Sequence, residues 1–282
     1  MPIYEESYSP WYGQLKTRPQ TWWIIARTGI KLLWKKWMIV LVLVAYIPFF
    51  ARAVQIYVMT RFGDKIEIAK TVKSLQINAG FFHEFLQGQA FFLLLIFIIA
   101  GAGLIANDRK FKALFIYFSR PVNFWDYIIG KFTIVGFYGA LITLVPGLLL
   151  FMVRILLARD AVFFNKYFWI PFSITGYVFL VLVTMGGLIL ALSAASRSAT
   201  SAAIFFFSLI TFPNILQKIL YKIHGIGLIS LNANLKQVSS QMFGLEHPFH
   251  FSVWLGFVVL VGIVLLSIGI LRIKVRPTEV VQ

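Results

Sequence analysis

The sequence predicts an all-α integral membrane protein with six transmembrane helices, and three observations lead to that fold class. Of the 282 residues, 60% are hydrophobic and only 13% are charged, whereas soluble domains carry about 25% charged residues. The mean hydropathy is +0.84. The lysines and arginines lie in short segments between long apolar runs, which is the arrangement of membrane loops. A chain of this composition could not cover a globular surface with polar groups, so its solvent is lipid.

The charge is strongly basic, with 26 Lys and Arg against 10 Asp and Glu, for a net charge of +16. A nucleic-acid-binding protein gathers such an excess into a patch on a soluble fold. Here the excess is divided among loops, so we expect no nucleic-acid partner. The chain contains no cysteine, which excludes disulfides, iron–sulfur clusters and cysteine-ligated zinc.

The six spans follow from the lengths of the apolar runs. A crossing helix needs about 20 residues, and five segments provide them easily. The run from Trp169 to Phe212 carries Arg197 as its single charge and is too long for one crossing, so it folds back at Arg197 into two spans. The predicted spans are 38–58, 86–106, 132–153, 168–194, 198–213 and 251–271.

Loop charges predict the orientation. Six spans place both termini on one side, together with the 107–131 loop, and that side carries more Lys and Arg close to the span ends. The positive-inside rule therefore predicts cytoplasmic termini. The predicted domains are a leader with an interfacial helix over 1–37, the transmembrane domain over 38–272 and a cytoplasmic tail over 273–282. Short helices that dip into the outer leaflet are expected within 214–250.

Residues 17–36 predict a helix that lies in the plane of the lipid headgroups, because apolar and cationic residues occupy opposite faces. The apolar face carries Trp23, Ala26, Ile30, Leu33, Trp34 and Trp37, and the other face carries Arg27, Lys31 and Lys35. The alternative is a basic flank that only stops transfer of the first span. The residues expected to act in this interfacial helix are Trp22, Trp23, Arg27, Lys31 and Trp34.

The segment Gly101-Ala-Gly103-Leu-Ile-Ala106 fits the dinucleotide pattern G-x-G-x-x-A. That pattern must follow a strand and open a helix, but here it ends an apolar span, so the glycines indicate close helix packing instead. A Walker A pattern is absent from the sequence. We therefore expect a chain that is not itself an enzyme.

The following loop, "NDRKFKALFIYFSRPVNFWDYIIGK", predicts a short amphipathic helix on the cytoplasmic surface. Asn107 or Asp108 is expected to cap it, Pro121 to end it, and Asn123 with Asp126 to start the next helix. The alternative is a solvated loop. Its apolar stripe consists of Phe111, Leu114, Phe115 and Phe118.

This region resembles the membrane subunits of ABC-2-type exporters. The residues that carry the resemblance are Gly101, Gly103, Asp108, Ser119, Arg120, Pro121, Tyr127, Gly130 and Lys131. Many members have Glu where this chain has Asp108. The six spans, the interfacial helix and the region before the last span extend the resemblance over nearly the whole chain.

The resemblance implies that roughly Asn107–Ser119 is a coupling helix that docks in a groove of a separate ABC ATPase subunit. It also implies a second permease subunit, in a homodimer or heterodimer, and the inner membrane of a prokaryote. ATP and Mg are then bound by the partner ATPase, and this chain holds no cofactor. The residues assigned to ATPase coupling are Asn107, Asp108, Arg109, Phe111, Lys112, Leu114, Phe115, Phe118 and Arg120.

Other functions receive less support from the sequence. His247, His250 and Glu246 are candidate metal ligands, but their spacing matches no strong pattern. An intramembrane enzyme would need polar catalytic residues inside the spans, and none is found. The main alternative is a non-transporting scaffold that uses a partner ATPase for mechanical work on extracytoplasmic accessory proteins. The substrate-binding residues are unknown.

Overall fold

The computed structural model describes residues 21–62, 76–119, 122–158, 161–220, 223 and 225–275. The leader before Thr21, Arg120 and Pro121, His224 and the tail after Val275 lie outside the described residues. The helices are α1 (Thr21–Leu33), α2 (Lys36–Ala45), α3 (Ile47–Phe62), α4 (Ala79–Gly88), α5 (Ala90–Lys110), α6 (Ala113–Phe118), α7 (Phe124–Ala158), α8 (Ala161–Tyr167), α9 (Ile170–Val181), α10 (Gly187–Ala195), α11 (Ala199–Ile219), α12 (Leu231–Met242) and α13 (Val253–Lys274).

Within those ranges there is no strand, and six helical segments are long and apolar enough to cross a membrane. They are Lys36–Phe62, Ala79–Lys110, Phe124–Leu157, Asn165–Ala195, Ala199–Ile219 and Val253–Lys274. Each overlaps one of the predicted spans, so the predicted all-α membrane fold is confirmed. Each observed segment is longer than the corresponding predicted span, because the helices continue beyond the apolar runs.

The second and fourth spans form the centre of the bundle, with 56% and 61% of their most apolar windows buried. The first, fifth and sixth spans bury only 11–17% and leave most of their surface to lipid or to another subunit. The glycine pattern of the second span serves this packing, as predicted. A Cβ on Gly101 would come within 2.8 Å of the Ile189 side chain on α10.

Three spans contain breaks in their regular helical hydrogen bonding. The first changes from α2 to α3 at Tyr46, just before Pro48, and the second changes from α4 to α5 at Gln89. The buried Gln89 amide donates to the carbonyl of Ala45 at 3.1 Å, so one break satisfies a backbone group freed by the other. A π-helical turn, Leu182–Gly186, interrupts the fourth span.

The fifth span and the segment after it differ in part from the prediction. Helix α11 does not end at Pro213 but continues through it to Ile219, since membrane helices tolerate proline when neighbours compensate. A 3-10 turn (Ile226–Ile229) and α12 then fold back against the bundle. The buried residues of α12 include Asn234, Gln237, Ser239 and Ser240.

Candidate functional site

Helix α5 leaves the bundle later than the sequence predicts. Asn107 and Asp108 do not cap a new helix, because α5 continues through them to Lys110. The chain breaks at Lys112, which has a left-handed φ of 55° and whose amide donates to Arg109 at 3.2 Å. Glycine is usual at such a position, so the lysine hides this break in the sequence.

The break and the short helix after it, α6, expose a group of side chains that are close in sequence. Phe111 is 71% exposed, Phe115 is 47% exposed and Ile116 is 65% exposed, and Lys112 is exposed beside them. We call Phe111, Lys112, Phe115 and Ile116 the α6 surface. Three large exposed apolar residues within the six positions from Phe111 to Ile116 are typical of a surface that meets a partner.

The predicted aromatic stripe is therefore only partly present. Leu114 turns inward and packs on the hydrophobic core, and the side chain of Phe118 lies outside the described residues, as does Arg120. Ile116 was missed, because the break at Lys112 shifts the helical phase that the sequence pattern assumed. Asn123 and Asp126 do precede and open α7 as predicted, with the Asn123 amide donating to the Asp126 carboxylate at 3.4 Å.

Beneath the α6 surface, four side chains join the ends of α5, α6 and α7. The Asp108 carboxylate accepts from the Lys131 ammonium at 2.7 Å and from the Tyr127 hydroxyl at 2.7 Å. Lys131 also lies over the rings of Tyr117 and Tyr127, at 5.5 and 5.4 Å from their centroids. We call these residues the Asp108 cluster.

The Asp108 cluster is nearly removed from water. The side chain of Lys131 is 7% exposed and that of Asp108 is 17% exposed. Burial, and then the Asp108 charge, raise the pKa of Tyr117 above its ordinary value. The predicted 107–131 loop places Lys131 among the loop cations. Its position within the apolar run "IIGKFTIV" is the signal that could have revealed a buried, paired charge.

A second set of contacts joins the same end of α5 to the fourth span. The buried Ser193 hydroxyl donates to the carbonyl of Ala102 at 2.7 Å and accepts from the amide of Ala106 at 3.0 Å. The Arg109 guanidinium donates to the carbonyl of Ala194. Arg109, although exposed, therefore ties the end of α5 to the end of the fourth span.

The predicted segment 17–36 contains a helix, α1, that packs mainly on α7. That α1 lies in the headgroup plane stays a prediction. Ile25 contacts the Gly130 position, a Cβ on Gly29 would overlap the Ile134 side chain, and the Tyr138 hydroxyl donates to the carbonyl of Ile30 at 2.9 Å. From the Ile25–Gly130 contact through Gly29–Ile134 to the stack of Trp34 on Tyr138, the pairing advances by four or five residues on the α1 side and by four on α7, so α1 runs alongside α7 in the same direction.

The contacts of the two faces of α1 differ from the prediction that one face meets lipid and the other meets water. Of the predicted apolar face, Ala26 is buried and Ile30 and Leu33 pack on the core. Trp23 and Trp34 remain about half exposed, and Trp34 stacks on Tyr138. Trp22 is half-buried, whereas Arg27 and Lys31 are exposed. The cations thus point away from α7, and the bundle contact replaces part of the expected lipid contact.

The interactions at this site are an ion pair, hydrogen bonds and exposed apolar side chains. Among the described residues, no three His, Asp or Glu side chains come close enough together to hold a metal ion. His247, His250 and Glu246 are therefore not brought together as a ligand set. The site offers an apolar surface fixed to the ends of two spans.

The family model described as ABC-2 family transporter protein matches residues 22–268. The match begins inside α1 and ends inside α13, so it includes the α6 surface, the Asp108 cluster and all or most of each of the six spans. No curated protein matches this chain.

Proposed function

We propose a mechanism for this chain from one premise: the chain belongs to the ABC-2 family of transporter proteins, and it is a multi-pass membrane permease component of an ABC transporter. In the proposed mechanism, a separate ATPase subunit binds ATP and Mg, docks on the α6 surface and drives export. The termini and the α6 surface face the cytoplasm of a prokaryote, and the spans cross its inner membrane.

The observation that carries this proposal is the combination of the α6 surface with the Asp108 cluster. Phe111, Phe115 and Ile116 present apolar area to solvent, while Asp108 and Lys131 fix the helix ends beneath them. A docked ATPase that moves would therefore displace the ends of α5 and α7 together. A flexible loop in the same place would absorb the motion.

Helix α1 gives the same motion a second path. It contacts α7 over about three turns, from Gly130 to Tyr138, and continues into the first span after a break at Trp34 and Lys35. A displacement of α7 therefore reaches the first span through α1. In the proposal, Trp23, Arg27 and Lys31 keep α1 at the membrane surface while it moves.

The largely exposed first, fifth and sixth spans support the proposal that two permease subunits pair. One bundle leaves these surfaces uncovered, and a pair would bury part of them. A dimer also provides two α6 surfaces for the two ATPase subunits that close on ATP.

Photo-crosslinking tests the docking step directly, because the chain has no cysteine of its own. A single cysteine at Lys112, carrying a photo-crosslinker in native membranes, should capture a P-loop ATPase. A cysteine at Lys236, which is exposed on α12 at the other end of the bundle, is the matched control and should not. Capture of a different protein from Lys112, or equal capture from both positions, would contradict the proposal.

A charge substitution tests whether the apolar area is what binds. Replacing Phe111 and Phe115 with Asp should abolish copurification of the ATPase while the spans stay folded, because two carboxylates would be desolvated in the interface. Phe168→Asp, at a residue that is 56% exposed near the opposite ends of the spans, controls for the added charge itself. Unchanged ATPase association in the double variant would contradict docking on the α6 surface.

A further inference from the structure

A cavity of about 390 Å³ lies between α1 and α5, with α7 behind it and Tyr117 of α6 at one end. We call this cavity the α1–α5 groove. Its volume is within the roughly 300–1,000 Å³ range of small-molecule sites. The coupling mechanism proposed above makes no use of it.

The walls and the end of the groove differ in chemistry. The walls are mainly aliphatic and include Ile24, Leu32, Ile99 and Leu104. Polar side chains are concentrated at the end formed by Asn107, Asp108, Lys131 and Tyr117. Ile99 precedes Asp108 by nine residues on α5, so the apolar part extends about 13 Å along the helix from the polar end. This is the polarity profile of a lipid, with a chain and a headgroup.

The groove opens on the outer, apolar surface of the helical bundle. Ile24 and Leu32 on one rim are 53% and 65% exposed, and Ile99 on the other rim is 54% exposed. These rim residues are apolar and belong to a bundle whose outer surface meets lipid. An acyl chain can therefore enter sideways from the leaflet on the Asp108 side without crossing a polar barrier.

Two cations of α1 are close in sequence to residues that line the groove, although neither cation lines it. Arg27 and Lys31 are exposed on α1 and are four residues apart, so they share a face. Lys31 also follows Thr28 of the groove lining by three residues, which places it beside the opening. No acidic side chain within the described part of the chain forms a salt bridge with either cation. Lysine and arginine near a membrane surface attract anionic headgroups.

From this combination we infer that the α1–α5 groove binds one anionic phospholipid. One acyl chain lies between α1 and α5, and the phosphate lies against Arg27 and Lys31. The lipid fills the space between α1, which continues into the first span, and α5, which is followed by the α6 surface. The inference does not depend on docking of an ATPase.

Native mass spectrometry of the full chain, purified in a neutral detergent, tests this site with phosphatidylglycerol as the probe. One phosphatidylglycerol per chain should remain at collision energies that remove the others. Thr28→Trp, which fills the groove from an exposed position, should weaken this retention roughly tenfold. Ile204→Trp, at a residue that is 59% exposed on α11, should leave it unchanged. Equal retention by both variants would overturn the site.

Charge selectivity provides an independent test of the headgroup assignment. The wild-type chain should retain phosphatidylglycerol over phosphatidylcholine by roughly tenfold, since each cation favours an anionic lipid. Arg27→Gln with Lys31→Gln should remove that preference while acyl-chain binding persists. Equal retention of the two lipids by the wild-type chain would overturn the anionic assignment.

A spin-label measurement covers the case in which Thr28→Trp does not fold. A single cysteine at Leu32, 65% exposed on the rim, carries the label in the otherwise cysteine-free chain. Adding phosphatidylglycerol in detergent should restrict the label's motion at about one lipid per chain, and a label at Ile204 should not respond. An equal response at both positions would show surface lipid only and would overturn the inference.

Discussion

The two ends of the bundle hold their short helices by opposite means. At one end, the Asp108 cluster uses a buried ion pair, Asp108 with Lys131 at 2.7 Å, and leaves the α6 surface apolar and exposed. At the other end, α12 is buried, and neutral groups hold it in place: His83 Nε2 lies 2.8 Å from Ser239 Oγ. The difference teaches that an exposed helix needs a strong attachment beneath it if it is to transmit motion, as the proposed mechanism requires, whereas a helix packed inside the bundle needs only its polar groups satisfied.

The neutral end gains its strength from the number of its contacts. The Gln237 amide donates to the carbonyl of Phe251 at 2.7 Å and accepts from the amide of Phe249 at 3.2 Å. The Ser173 hydroxyl donates to the carbonyl of Met242 at 2.7 Å. None of these contacts requires a charge, and they are divided among several residues. The packing of α12 should therefore depend little on any single hydrogen bond.

The largest expected effect comes from breaking the ion pair on one side only. Lys131→Met leaves the Asp108 carboxylate buried without its cation, which typically costs about 3–5 kcal/mol of unfolding free energy. We expect a large drop in thermal stability in detergent and a loss of ATPase association. Lys218→Met, at an exposed lysine in the last turn of α11, should change neither.

A double variant distinguishes the pair from either residue alone. Asp108→Asn combined with Lys131→Met removes both charges and should recover much of the stability lost in Lys131→Met, because no uncompensated charge remains. If the single and double variants are equally unstable, Lys131 acts through packing and the contrast between the two ends is wrong.

A smaller effect is expected at the neutral end. Gln237→Leu removes the partner of the Phe249 amide and of the Phe251 carbonyl, and leaving such groups unsatisfied costs about 1–3 kcal/mol. Thermal unfolding should therefore shift less than in Lys131→Met, and ATPase association should persist. Gln241→Leu, on the exposed side of the same helix, is the control, with an expected change within about 0.5 kcal/mol. A larger loss from Gln237→Leu than from Lys131→Met would reverse the comparison.

The spans could be predicted from the sequence because each membrane crossing requires one contiguous run of apolar residues. The end of α5 could not be placed, since a lysine rather than a glycine occupies the left-handed position at residue 112. The attachment of α12 was equally hidden, because His83 and Ser239 are 156 residues apart. Short helices within 214–250 could be expected, but not which polar groups would be buried there. The Asp108–Lys131 pair lay closer to prediction, since both residues carried the family resemblance without an assigned contact.

The smallest expected effect concerns the pH dependence of stability at the end that carries the Asp108 cluster. Burial and the Asp108 charge raise the pKa of Tyr117, so the folded state favours the protonated phenol. This contribution to stability is fully present below the unfolded pKa of about 10 and is lost as the pH rises through the folded pKa. Tyr117→Phe should therefore unfold with the same pH dependence as the wild type up to about pH 9 and lose less stability above about pH 10. Tyr57→Phe, at a tyrosine that is 48% exposed on α3, serves as the control in the same unfolding series. An identical alkaline decline in Tyr117→Phe and the wild type would mean that neither burial nor the Asp108 charge raises the pKa of Tyr117 in the folded state.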